Sequence, residues 1–239
     1  MKRKSQLGMS LIEVMVVLLI TTVITGAVFS QIVNVQHRAS SEQVKLDLFQ
    51  EARDFVDQMS RDLHQIGYPN PKNFAPGQLT GVNDPTAAVG LVKADANELR
   101  FEGDVNGDGS VETLIYQLVT TGDNCPCLRR SEIGKQSGNP LTGQATPSWY
   151  TEVQNVQNGG TGSPIFFAYT GGGTPVTLPI DFNTDPATIA SIDTIKIVIT
   201  TQARFPDPQN GTRPSTTLVS TVRLNNCSQA AFGKPMSCQ

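Results

Sequence analysis

Histidine is nearly missing from this chain of 239 residues, where His37 and His64 are the only two. That leaves little material for imidazole-based metal sites or general-base catalysis. Basic charge is also short: 18 Lys and Arg stand against 21 Asp and Glu, for a formal net charge of -3 and a pI near 5.4. Without a basic surface nothing offers to neutralise a phosphate backbone, so no nucleic-acid contact is expected. There is no Gly-rich phosphate loop, no nucleophile elbow and no internal repeat, and no histidine follows His64. These absences point away from an enzyme.

What is present is unevenly placed. A mean hydropathy of -0.18 describes an ordinary soluble protein, but Met9 to Val33 contains a single ionisable residue, Glu13. The apolar run from Val14 to Val33, as a helix rising about 1.5 Å per residue, spans the roughly 30 Å of a bilayer core. Lys2, Arg3 and Lys4 precede it, which predicts a cytoplasmic N-terminus and a single pass, with the rest of the chain across the membrane. A secretory signal peptide is the plain alternative, with Thr25-Gly26-Ala27 as a poor cleavage site. The length of the run and the position of Glu13 argue against it. A carboxylate there costs about 2–3 kcal/mol on insertion scales and calls for a partner.

The start reads Lys2-Arg3-Lys4-Ser5-Gln6-Leu7-Gly8, then Met9-Ser10-Leu11-Ile12-Glu13-Val14. It resembles the leader and cleavage site of type IV prepilins and type II secretion pseudopilins. The resemblance implies cleavage after Gly8 by a prepilin peptidase and N-methylation of Met9, although the family usually has Phe, often followed by Thr, where Met9 and Ser10 stand. Cleavage would create an amine four residues from Glu13 on the same helix face. Paired across neighbouring subunits, amine and carboxylate offset one another's desolvation and mark the register of a helix bundle. In pilins the carboxylate equivalent to Glu13 is given this role in assembly. Loss of residues 1–8 leaves 15 basic against 21 acidic side chains, a balance of -6.

Beyond the apolar run, Val44, Leu48, Ala52, Phe55, Met59, Leu63 and Ile66 recur at steps of three or four, one helical stripe. Lys45, Asp47, Glu51, Arg53, Asp54, Asp57, Arg61 and Asp62 lie between them and suit a solvent-facing or subunit-facing side. Gly67 and Pro69 supply the stop. One helix is therefore expected from about Ser10 to Ile66. His37 and His64 lie too far apart on it to form a metal pair. The stretch from Gln50 to Pro69, with its Arg-Asp-Leu running into Gly-Tyr, resembles the helix end of PilW-like minor pilins.

After Gly67 the chain turns to short β-type runs between Gly, Pro, Asn and Asp clusters. Strands are expected at Leu91–Lys93, Glu98–Glu102, Glu112–Thr120, Cys127–Ser131, Tyr150–Val156, Ile165–Tyr169, Ile192–Thr200 and Leu218–Leu224. In the run at Ile192, Ile195, Ile197 and Ile199 alternate with Lys196 and Val198. Segments 70–88, 134–148 and 205–215 read as loops. The expected fold is α+β and pilin-like: a long N-terminal helix packed on an antiparallel sheet with long loops. Its parts are a leader (1–8), a transmembrane or filament-core helix half (9–35), an amphipathic half (36–66) and a β-rich body (67–239).

Asp104, Asn106, Asp108 and Ser110, with glycines at 107 and 109, resemble the start of a calcium loop, in which alternate oxygens wrap a hard cation. Position twelve would be Ile115, so a closing ligand would have to be Glu112. The competing reading is a hairpin turn built on Asn-Gly and Asp-Gly. Calcium is the one cofactor the sequence admits. PilW-like proteins often carry a similar segment ending in a Tyr, here Tyr116. Cys125, Cys127, Cys227 and Cys238 all follow the apolar run, which fits an oxidising compartment. Four cysteines allow three pairings. Cys227 with Cys238 is favoured, leaving Cys125 and Cys127 to pair with each other or cross-link elsewhere. A zinc half-site at Cys-Pro-Cys has no completing ligands nearby.

The resemblance implies a minor pilin, anchored in the inner membrane and then carried into a surface pilus. Its partners would be the prepilin peptidase, other minor and major pilins, and the assembly platform. A J-type pseudopilin of type II secretion is the nearest alternative. A membrane-anchored, calcium-dependent binding or adhesion module is the alternative of another class.

Overall fold

A computed structural model of the protein describes residues 10–79, 83–122, 125–158, 162–208 and 210–224. Gly8, Met9, Cys227 and Cys238 lie outside them.

Helix α1, Leu11–His64, is 54 residues long, about 80 Å at the standard rise. Two unlike halves share it, as the composition predicts. Every residue from Ser10 to Ser40 is exposed, and burial begins at Ser41. From there the expected stripe is found: Leu48, Ala52, Phe55, Met59 and Leu63 are buried, and Ile66 just past the helix is fully so. The helix ends at His64 rather than Ile66. Gly67 takes a φ of 77°, and its N–H donates to Glu102 O at 3.0 Å, so the chain turns onto a strand instead of continuing the helix.

The body contains β1 (Leu91–Ala94), β2 (Glu98–Gly103), β3 (Glu112–Val119), β4 (Cys127–Gly134), β5 (Trp149–Val153), β6 (Phe166–Thr170), β7 (Thr174–Pro175), β8 (Ile180–Asp181), a short α2 (Pro186–Ser191), β9 (Ile192–Gln202) and β10 (Ser215–Arg223). They form two sheets where one was expected: a six-stranded sheet in the order β5-β4-β3-β2-β1-β8, and a four-stranded sheet in the order β10-β9-β6-β7. Pairing is antiparallel throughout. Each expected strand has its counterpart. The run expected to reach Val156 breaks at Val153, and Val156 instead bridges to Thr201 of the other sheet. Strands β7 and β8, with two residues each, are too short to carry a period.

The alternation read in β9 is real: Ile195, Ile197 and Ile199 are fully buried while Lys196 and Val198 are partly exposed. Those isoleucines join Phe55, Met59 and Leu63 of α1 and Leu99, Phe101, Leu114 and Tyr116 of the larger sheet in one core. The apolar stripe thus lies between two sheets. Burial of such side chains is worth about 1.5–3 kcal/mol each and fixes how the helix sits on the body.

Candidate functional site

The features that point to function lie along α1. Leu11–Val35 presents exposed Leu, Ile, Val, Met and Phe on all sides, and a helix apolar all round needs an apolar surrounding. It is long and apolar enough to cross a membrane, and none of the apolar window is buried inside the protein. Two of its hydroxyls are satisfied within the helix: Thr21 and Thr22 donate to Val17 O and Leu18 O at 2.8 and 2.7 Å, which suits an apolar surrounding. Glu13 lies in the first turn of α1, where the unpaired backbone N–H groups favour a negative charge.

The body grips the other half at both ends. Near the membrane side, Ser41 Oγ donates to Asp207 Oδ2 at 2.8 Å in a buried contact. At the far end Asp62 is buried against the body, 2% exposed, instead of lying on the solvent-facing or subunit-facing side expected for it. Its Oδ2 accepts from the Tyr116 hydroxyl at 2.6 Å and from Arg130 Nε at 2.9 Å. Its Oδ1 accepts from Gln58 Nε2 at 2.8 Å. Arg130 also reaches Glu132 at 2.7 Å. Burial, with the Asp62 carboxylate alongside, pushes the Tyr116 phenol well up. The Tyr116 ring stands edge-on to Phe55, with centroids 5.8 Å apart. The signal for Asp62 was in the spacing: it lies three residues from Met59 and seven from Phe55, on the stripe itself.

A second buried pair escaped the sequence reading. Lys135 Nζ lies 2.7 Å from Glu102 Oε2, and both side chains are fully buried. Lys135 Nζ also donates to Ala87 O at 2.6 Å, and Val89 N donates to Glu102 Oε2 at 2.9 Å. Burial pushes the Glu102 carboxyl up and the Lys135 ammonium down. The pair fastens the segment before β1 to β2 and to the end of β4. The two residues are 33 positions apart, and nothing local in the sequence links them.

The Asp104–Glu112 segment connects β2 to β3, the hairpin position expected for it. Asp104 accepts from Gly107 N at 2.7 Å and Gly109 N at 3.0 Å. Asn106 Oδ1 accepts from Asp108 N, and Asp108 Oδ1 from Ser110 N. Glu112 Oε2 accepts from Val105 N at 3.2 Å. Asn106 Nδ2 points at Asp108 Oδ2 and Glu112 Oε1, 3.1 and 3.4 Å away, which puts a donor among the acceptors. Burial and the nearby carboxylates of Asp108, Asp104 and Glu132 push Glu112 up to about 6, against the hydrogen bond from Val105. Among the described residues no group of three or more His, Cys, Asp or Glu side chains is disposed to hold a metal ion.

Cys125 and Cys127 form a disulfide across one residue. Bridged sulfurs are not thiolates, so this motif does not supply a zinc half-site. The favoured pairing of Cys227 with Cys238 falls outside the described residues. Residues 3–29 match the family described as the prokaryotic N-terminal methylation motif. No curated protein and no solved structure matches the chain.

Proposed function

On the premise that residues 3–29 make this a type IV prepilin-like protein, we propose that it is a PilW-like minor pilin. In this reading it is cleaved after Gly8, N-methylated on Met9 and incorporated near the tip of a type IV pilus, where it takes part in initiating assembly. The observation that carries the reading is the methylation motif at the head of a helix whose apolar half is exposed on every side. Such a half serves first as a membrane anchor and then as part of a helix bundle. The body holds α1 only from Ser41 onward, which leaves the apolar half available to neighbours. The role is structural rather than catalytic. The PilW-like assignment rests on Gln50–Pro69 and Asp104–Tyr116, and the inner membrane before assembly is the location that the motif and the apolar helix fit.

The test is chemical. Intact mass and N-terminal sequencing of the protein from a host with an active prepilin peptidase should give a chain beginning at N-methylated Met9. A chain retaining residues 1–8 overturns the reading. In the same host, Glu13→Ala should leave membrane insertion unchanged and reduce the amount of this subunit in sheared filaments. Undiminished incorporation removes the role given to that carboxylate.

A further inference from the structure

A sheet edge exposes a row of unpaired backbone N–H and C=O groups, and soluble proteins keep such edges short, bent or covered. Three of the four edges in this fold follow that rule. Strand β5 has five residues and meets β4 across a register shift at Leu128/Arg129. Strands β7 and β8 have two residues each, and β7 includes Pro175. Strand β10 is the exception. Its nine residues, about 30 Å, border the four-stranded sheet and pair with β9 from Ser215 to Arg223 without a shift in register. It contains no proline, and Arg223 at its end is its one charge.

The hydrogen bonds at the two ends of this ladder fix which backbone groups face outward. Ala203 N donates to Pro214 O at 2.8 Å, and Leu224 N donates to Asp193 O at 2.7 Å. The register between those pairs is unbroken, so the even-numbered residues of β10 bond to β9. Thr217, Val219, Thr221 and Arg223 turn their N–H and C=O groups away from it. All four residues are exposed, and among the described residues no backbone group outside the sheet bonds to them.

The flank of α1 beside this edge is apolar. Ser60 Oγ lies 3.5 Å from Ser220 Oγ, and Phe49, about three turns before Ser60, is on the same side of the helix. Leu46 stands one turn farther. Both are exposed, and they are the large apolar side chains that the body leaves open on the half of α1 it grips. On the outer face of the sheet, by contrast, the rows of β9 and β10 carry Lys196 and Arg223 and no Asp or Glu.

We propose that β10 accepts an extended strand from an unlike subunit, which lengthens the four-stranded sheet through the outward N–H and C=O groups of Thr217, Val219, Thr221 and Arg223. Main-chain pairing supplies the attachment, and the surroundings of the edge select the occupant. One face of the incoming strand carries apolar side chains at every second position, against Leu46 and Phe49. Polar residues alternate with them, with an Asp or Glu near the Arg223 end. This rests on the assembly reading, in which a minor subunit has unlike neighbours. Residues 225–239 follow β10 directly, but they hold Gly233 and Pro235 and no Asp or Glu, a poor match to that pattern.

The experiment uses the full-length chain in a host that processes it, with the photo-crosslinking residue p-benzoylphenylalanine in place of Thr217 in one variant and of Thr221 in another. Paired strands advance residue for residue, so mass spectrometry should place the two links about four residues apart on one alternating segment of an unlike chain. Val219→Pro deletes one outward N–H and spares the bonds to β9. It should lower both yields at least tenfold and leave the amount of mature chain unchanged. The spacing of the links is read without the proline and decides the matter if that variant fails to fold. Links scattered over a partner, links within residues 225–239, a product of twice the mature mass, or yields indifferent to a folded Val219→Pro chain overturn the proposal. So does the absence of any product from a chain that starts at Met9. An uncleaved chain sinks the assembly reading beneath it.

Discussion

One carboxylate oxygen, Asp62 Oδ2, lies 2.6 Å from the Tyr116 hydroxyl and 2.9 Å from Arg130 Nε, so a single atom of α1 ties the helix to both β3 and β4. Removing it leaves a buried phenol without its acceptor and strips the guanidinium of its most deeply buried partner. Asp62→Ala should cost about 3–5 kcal/mol of stability. Tyr116→Phe, which deletes a donor and keeps the ring against Phe55, should cost only about 1–2 kcal/mol. Urea denaturation of the two variants checks the order, and equal losses would show that packing rather than the carboxylate holds the helix end.

Gly103 lies where β2 passes under the end of α1. A Cβ there would overlap the carbonyl of Gln65, a backbone group that no rotamer change can move aside. Gly103→Ala is expected to destabilise by about 1–3 kcal/mol. Gly134→Ala, at the end of β4 with open space around it, should stay within about 0.5 kcal/mol of the parent. Thermal melts of the pair measure the difference.

Acidity acts on the hairpin loop in an unusual direction. Glu112 is pushed up to about 6 in the folded protein, above the roughly 4.3 of an unfolded glutamate. Between those values the folded state holds a proton that the unfolded state has released, so this group's contribution to stability is present below about pH 4.3 and lost as pH rises through 6. After allowance for solvent screening the loss is about 1 kcal/mol. Glu112→Gln should abolish this slope, read as the difference in stability between the two proteins across pH 4 to 7.

Asp104 accepts from two backbone N–H groups of the same loop, which is enough to hold the turn. Asp104→Ala should therefore cost about 1–3 kcal/mol, and by the same amount in calcium and in EDTA. A melting temperature of the parent protein that rises with calcium would show instead that the loop's oxygens are shared with a cation.

The parts legible in the sequence were those with a period. Val44 to Ile66 shows its stripe because 3.6 residues make a turn, and Ile195, Ile197 and Ile199 show their face because a strand alternates. The turn at Asp104–Glu112 was legible from its Asn-Gly and Asp-Gly pairs. Burial of Asp62 was hidden by its charge, since a carboxylate on an apolar stripe is read as an exception to the stripe until its partner on β3 is known. The Glu102–Lys135 pair had no local trace, and neither had the division of the body into two sheets, which touch at the Val156–Thr201 bridge, a contact between residues 45 apart. Gly8 and Met9 are the reverse case: their assignment rests on the motif alone.

The packing of β10 along the gripped part of α1 also has a mechanical side. A pull on the apolar half of the helix reaches the body along the length of β10 and β9, whose nine residue pairs lie alongside the line of force. Such pairs resist sliding together rather than opening one at a time from an end. The Ser41–Asp207 and Asp62–Tyr116 contacts sit at the two limits of the gripped segment, so tension applied to the apolar half would be shared across roughly 30 Å of helix before any strand is peeled away.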